Sequence, residues 1–145
     1  MSQDKAILFV SALEAFTQRN IDGLEPFLHD EIEWEPTLTA GDPLGTIYRG
    51  KEGMRSYLEA LDREFEDFSL EVESLEEIAT NYILYRGRTT GLSKSTGLRL
   101  NAPLWALWEI RDEKLFRGSS FFTETEAQEA VQAAKQKAQH PDPPP

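Results

Sequence analysis

The sequence contains no cysteine, and only two of its 145 residues are histidine. The absence of cysteine excludes disulfide bonds, thiol nucleophiles and thiolate metal sites. One histidine, His140, lies in the proline-rich C-terminal segment HPDPPP, which leaves His29 without an imidazole partner nearby in the sequence. Zinc and similar metals are usually bound by several such side chains, so no metal site is expected.

Basic residues are outnumbered by acidic ones. The chain has 15 lysines and arginines against 26 aspartates and glutamates, which gives a formal net charge of −11. A protein of this charge repels the phosphate backbone of nucleic acids. Hydrophobic and small residues separate the basic residues that cluster most, at Arg86, Arg88, Lys94 and Arg99. We therefore expect no nucleic-acid partner.

Long hydrophobic runs are also missing. No apolar stretch approaches the roughly 20 residues that a membrane-spanning helix needs, so no membrane partner is expected. The N-terminus MSQDKAILFV has no long apolar region that ends in a small-residue cleavage site, and we therefore expect no signal peptide and a cytoplasmic location. A chain of this length suits one compact domain with a single core.

The stretch YRGKEGMRSYLEAL, residues 48–61, contains two glycines and a lysine in front of an amphipathic run. It lacks the Gly-Lys-Ser/Thr ending of a Walker phosphate loop and the three glycines of a dinucleotide fingerprint, so no nucleotide or other cofactor is expected. We predict that Gly50 turns the chain sharply into a helix and that Gly53 lets a neighbouring backbone approach. Apolar residues follow at helical spacing, at Met54, Tyr57, Leu58, Leu61 and Phe65.

Helices and one strand precede this stretch. Apolar spacing predicts a helix over about residues 4–18 and a shorter one over about 22–29. In EIEWEP, acidic residues alternate with Ile32 and Trp34, which predicts a strand that Pro36 ends.

The second half of the sequence has the pattern of strands. FSLEVES, TNYILYRGRTT, GLRLNAPLWALWEI and KLFRGSSFF follow one another without a helix between them, which predicts an antiparallel meander. A capping box of Thr123 and Glu126 predicts a last helix over residues 123–139. The tail HPDPPP is expected to be disordered. This order of elements is an α+β plan with a curved sheet around its helices.

Several stretches, in this order, resemble one known family. They are RNIDGLEPFLHDEIEWEP, IYRGKEGMRSYLEAL, FEDFSLEVESL and a W-x-x-W-x-x-R-D-x-K pattern from Trp105 to Lys114. Together they resemble the SnoaL-like branch of the nuclear transport factor 2-like superfamily over about residues 4–132. The resemblance implies a cone-shaped, curved, mainly antiparallel sheet wrapped around the N-terminal helices, a cystatin-like roll closed around a pocket. Residues 1–132 would form this domain, and residues 133–145 would hold the end of the last helix and the tail.

The superfamily includes isomerases, cyclases, epoxide hydrolases, dehydratases and pocket proteins without assigned activity, so the fold alone does not determine the function. The resemblance nevertheless implies certain site residues. Glu35 precedes Pro36, where ketosteroid isomerases carry a catalytic Asp-Pro pair, which implies a general base that faces inward. Ala12 and Ala106 align with the two oxyanion donors of those isomerases, so that part of the chemistry is missing. The expected pocket residues are Trp34, Tyr48, Tyr57, Ala106, Trp108 and Phe121.

Glu35 has a second interpretation. By simple alternation it shares a face with Glu31 and Glu33, which is typical of the solvent side of a strand, with Ile32 and Trp34 inward. A β-bulge near Trp34 would reconcile the two interpretations.

Two functions follow from these alternatives. The first is a non-catalytic protein that binds a small hydrophobic or amphipathic molecule in an apolar cavity of a few hundred Å³. The second is a cofactor-free isomerase, cyclase or lyase with Glu35 as base. We further predict a homodimer formed through the sheet, because three arginines lie among apolar residues of central strands, at Arg86, Arg88 and Arg99.

Overall fold

The computed structural model describes residues 3–36 and 47–139. Within these residues it contains four α-helices, one 3₁₀ turn and six strands. The helices are α1 (Gln3–Thr17), α2 (Ile21–Leu24), α3 (Gly50–Glu64) and α4 (Glu124–Gln139), and the 3₁₀ turn spans Glu25–Phe27. The strands are β1 (Leu28–Glu35), β2 (Tyr48–Arg49), β3 (Phe65–Ile78), β4 (Tyr82–Ser93), β5 (Arg99–Arg111) and β6 (Lys114–Phe121).

The strands form one curved, open sheet in the order β2-β1-β6-β5-β4-β3. The meander predicted from the second half of the sequence is confirmed, since β3 to β6 pair in chain order and antiparallel. β1 joins the meander beside β6, and this pair is parallel, with Trp34 opposite Gly118 and Glu35 opposite Ser119. The sheet is therefore mixed but mainly antiparallel, and the predicted α+β fold class is confirmed.

The two glycines before α3 have the roles that the sequence predicts. Gly50 has a φ of +71°, in the left-handed region that favours glycine, and it turns the chain from β2 into the helix. A Cβ atom on Gly53 would lie 3.0 Å from the backbone carbon of Tyr48, so this glycine permits a close approach of β2 and α3.

The second helix is shorter than predicted. The side chain of Asn20 caps α2 by accepting a hydrogen bond from the Gly23 N–H at 3.0 Å, but α2 ends at Leu24. Pro26 has no N–H to continue an α-helix, and the chain instead makes a 3₁₀ turn into β1. His29, expected at a helix end, therefore lies in β1, with Nε2 3.3 Å from Oδ2 of Asp112.

Helices cover both faces of the sheet. α1 and α3 pack on the inner face and form the main core with it. α4 packs on the outer face, where Ala130, Val131 and Ala134 contact a smaller cluster around Leu107. The first half of the predicted capping box is present, because the Glu126 N–H donates to Oγ1 of Thr123 at 3.3 Å; the Glu126 carboxylate accepts a hydrogen bond from the Thr123 hydroxyl at 2.9 Å. The tail expected to be disordered lies outside the described residues.

No helix in the described part of the chain is long and apolar enough to cross a membrane.

Candidate functional site

A cavity of about 80 Å³ lies between the inner face of the sheet and the helices α1 and α3. Its wall is mainly aromatic and aliphatic, with a few small side chains. The aromatic residues of the wall are Phe9, Phe16, Trp34, Tyr57, Phe68, Tyr85 and Trp108. Its small residues are Ala12, Ala106 and Ser120. The cavity is thus smaller than the few hundred Å³ expected from the sequence.

Stacked aromatic rings account for the small volume. The rings of Trp34 and Trp108 lie parallel, with centroids 4.8 Å apart and 7° between their planes. Tyr57 meets Trp34 edge to face, with ring centroids 5.9 Å apart. Because strand alternation turns Trp34 of β1 and Trp108 of β5 to the same face, the two large rings fill space that smaller side chains would leave open.

Gly118 of β6 lets the Trp108 ring lie flat against the sheet. β6 runs between β1 and β5, and Gly118 is opposite both Trp34 and Trp108. A Cβ atom on Gly118 would lie 2.4 Å from the nearest atom of the Trp108 ring. The ring occupies the place of a side chain, and this contact fixes the position of the tryptophan pair.

The polar groups of the wall are hydroxyls and indole N–H groups. Among the described residues that line the cavity, none carries a carboxylate, imidazole, ammonium or guanidinium group. Burial raises the pKa of Tyr57 to about 12 and that of Tyr85 to about 12, so both phenols keep their protons at neutral pH. The Tyr85 hydroxyl donates a hydrogen bond to the backbone oxygen of Glu71 at 3.1 Å.

Four of the six expected pocket residues lie on this wall: Trp34, Tyr57, Ala106 and Trp108. Tyr48 packs behind the wall, with its ring 5.2 Å from that of Tyr57. Phe121 lies on the opposite face of the sheet, packed against the cluster under α4. The expectation that it lines the same cavity is wrong, because its neighbour Ser120 takes the inward position on β6 and strand alternation turns Phe121 outward.

Glu35 faces away from the cavity. Its side chain is exposed and lies on the outer face of the sheet, in a groove that also contains Glu33 and Arg117. β1 pairs with β6 without a bulge from Glu33 to Glu35, so simple alternation holds and Trp34 faces inward. The inward orientation that the resemblance implied for Glu35 is therefore wrong. Two other carboxylates of this groove are paired with arginines: Glu33 with Nε of Arg49 at 3.1 Å and Nε of Arg117 at 3.0 Å, and Glu109 with an Nη of Arg111 at 3.2 Å.

Four aromatic wall residues were not predicted from the sequence: Phe9 and Phe16 of α1, Phe68 of β3 and Tyr85 of β4. Tyr85 could have been found, because Arg86 and Arg88 are exposed on the outer face and alternation then places residue 85 inward. The orientation of Phe68 was harder to predict, because the register between β3 and β4 shifts just before Ser69 and interrupts the alternation of the strand.

Comparison with known families agrees with this architecture. The SnoaL-like domain pattern matches residues 10–118, about three quarters of the chain. The chain belongs to the SnoaL-like domain family. The family resemblance seen in the sequence is thereby confirmed. Among curated proteins, no sequence is significantly similar to this SnoaL-like protein.

Solved structures share the fold of this SnoaL-like protein at low sequence identity. TerC, co-crystallised with polyporic acid, superposes with a TM-score of 0.72 at 18% identity, covering 90% of this chain and 99% of TerC. An NTF2-like protein from Burkholderia thailandensis E264 superposes with a TM-score of 0.72 at 19% identity, covering 91% of this chain and 99% of the other. A protein with a ketosteroid isomerase-like fold from Catenulispora acidiphila, in complex with trimethylamine, gives 0.68 at 14% identity, covering 81% and 85% of the two chains.

Proposed function

We propose that this SnoaL-like protein binds a small, uncharged, mainly apolar molecule in the cavity and does not transform it by acid–base chemistry. The observation that carries the proposal is the composition of the cavity wall. The wall is apolar and aromatic, and the described residues that form it include no charged side chain. Apolar walls with a few polar groups are typical of sites for small molecules.

The wall argues against the alternative enzyme function. A general base must lie within hydrogen-bond reach of the proton that it abstracts, and Glu35 is on the other face of the sheet. The two phenols of the wall have a raised pKa and are poor bases at neutral pH. No described residue of the wall takes the place of Glu35, so binding without transformation fits the site better than isomerase, cyclase or lyase chemistry.

The volume limits the size of the molecule. At ordinary packing density, a cavity of about 80 Å³ holds about four or five non-hydrogen atoms. A larger ring needs movement of flexible wall residues, and Met54 of α3 has the unbranched side chain that adapts most easily. Relatives of the same fold have been crystallised with organic molecules, TerC with polyporic acid and the Catenulispora protein with trimethylamine.

Replacement of Ala106 by Leu tests the proposal. Ala106→Leu adds three carbon atoms, which occupy about 80 Å³ at interior packing density and so match the volume of the cavity. Small cyclic molecules that bind the wild-type protein, detected by ligand-observed NMR and thermal shift, should no longer bind the variant. The fold should lose no more than about 1.5 kcal/mol, because the added atoms enter existing space.

Ala133→Leu is the matched control, since Ala133 is exposed on α4. This variant should bind the same molecules with unchanged affinity. Binding that persists in Ala106→Leu, or a screen in which no small cyclic molecule binds the wild-type protein, would refute the proposal.

A further inference from the structure

One hydrogen-bond donor of the cavity wall is left without an acceptor. Trp34 is 7% exposed, and its indole Nε1–H is buried with no partner in hydrogen-bonding geometry among the described residues. Buried donors are nearly always paired with protein or water, because an unpaired one costs free energy. The indole therefore offers a hydrogen bond that the described protein groups do not use.

A second donor lies beside the first. Burial raises the pKa of Tyr57 to about 12, and hydrogen bonding from the Trp34 side chain is a smaller effect that lowers it, although the indole N–H does not reach hydrogen-bonding geometry with the hydroxyl oxygen. The hydroxyl thus keeps its proton and can donate it in a hydrogen bond. Both residues line the cavity, and the edge-to-face contact of their rings fixes their relative position.

Charged molecules do not suit this site. A buried carboxylate needs a cationic partner, and a buried ammonium needs an anionic partner or free aromatic faces, since burial of an unpaired ion is far more costly than burial of a neutral polar group. The stacked pair of Trp34 and Trp108 turns one face of each ring towards the other ring rather than towards a ligand. The described residues of the wall provide neither charge. The wall provides an apolar enclosure and two hydrogen-bond donors, on Trp34 and Tyr57.

We infer that Trp34 and Tyr57 form a donor site for one oxygen acceptor of a neutral cyclic molecule, such as the carbonyl oxygen of a small ketone. The inference rests on the proposed function and specifies its ligand class. The apolar ring of the molecule occupies the space beside Ala106, and its oxygen accepts the Trp34 N–H. The Tyr57 hydroxyl donates to the same oxygen.

The test compares cyclobutanone with methylenecyclobutane, which has the same five non-hydrogen atoms and nearly the same shape but no acceptor. Dissociation constants are measured by NMR titration for wild type, Trp34→Phe and Tyr57→Phe. Each variant should weaken the binding of cyclobutanone by about 3- to 10-fold relative to that of methylenecyclobutane, the usual contribution of one hydrogen bond. Tyr57→Phe keeps the shape of the ring, so it remains informative if Trp34→Phe does not fold.

The wild-type protein gives an independent readout. Cyclobutanone should move the indole ¹H–¹⁵N signal of Trp34 downfield, and methylenecyclobutane should not. If both molecules bind, lose affinity equally in the variants and leave the indole signal unmoved, the donor site is refuted but the proposed pocket is not. Tighter binding of trimethylammonium than of either molecule would also refute it, and absence of all binding would refute the proposed function itself.

Discussion

Gly118→Ala should disturb the tryptophan pair that shapes the cavity. The new Cβ atom would lie 2.4 to 2.5 Å from three atoms of the Trp108 ring. Carbon atoms pack at about 3.5–4.0 Å, so the ring has to move by about 1 Å. It cannot retreat freely, because the Trp34 ring is stacked on it with a centroid distance of 4.8 Å.

The expected cost follows from two opposing effects. Overpacking of a core typically costs about 1–3 kcal/mol. Replacement of glycine by alanine also restricts the unfolded chain, and this effect offsets about 0.4–1 kcal/mol of the overpacking cost. We therefore expect a net loss of about 1–2 kcal/mol in the free energy of unfolding, measured by urea denaturation followed by circular dichroism.

A double-mutant cycle identifies the source of this loss. If the clash with the Trp108 ring is responsible, Gly118→Ala should stabilise a Trp108→Leu background by about 0.4–1 kcal/mol, since the smaller side chain leaves room for the new Cβ atom and only the effect on the unfolded chain remains. The coupling energy between the two sites should then equal the cost of overpacking, about 1–3 kcal/mol. Equal cost of Gly118→Ala in both backgrounds would show that Trp108 is not the cause and would refute the explanation.

Three further predictions concern other parts of the molecule. Because the pKa of Tyr57 is about 12 in the folded protein and about 10 in the unfolded chain, the proton stays on both states below pH 10, and stability falls as the pH rises from 10 towards 12. Between about pH 9 and pH 11 the wild type should lose about 1 kcal/mol more than Tyr57→Phe in urea denaturation, and an equal loss would contradict the assignment. Glu35→Gln should change neither ligand affinity nor stability by more than about 0.5 kcal/mol, because the side chain is exposed. Glu33→Gln, which weakens two arginine contacts, serves as the comparison. A tenfold loss of affinity in Glu35→Gln would refute the placement of this residue outside the site. Arg86 and Arg88 are exposed on the outer face, where we propose that two copies of the chain meet, so sedimentation should show a dimer, and a monomer from micromolar to millimolar concentration would rule this out.

The sequence allowed most elements of the fold to be predicted, and it located four residues of the cavity wall. Apolar periodicity indicated α1 and α3, and the run of strands after α3 indicated the meander. One error arose where a distant segment decides, and another where a local signal was overlooked. Phe121 is aromatic and directly follows the cavity-lining Ser120, but the face of the sheet that it occupies depends on how β6 packs against the rest of the fold. The end of α2 at Leu24 could have been anticipated from Pro26.

What the sequence by itself determined is the local pattern, namely which residues share a face of a helix or strand, since such periodicity depends only on neighbours along the chain. The alternation of Ile32 and Trp34 with acidic residues in β1 favoured the solvent side for Glu35, and the unbroken register of β1 against β6 decided it. Tertiary structure alone decided the size and chemistry of the cavity. Its volume of about 80 Å³ depends on the stacking of Trp34 on Trp108, and its unpaired donor depends on what surrounds the Trp34 indole. Both properties arise between β1, β5, β6 and α3, segments far apart in the chain, and close packing of side chains from such segments is not encoded by the period of any one of them.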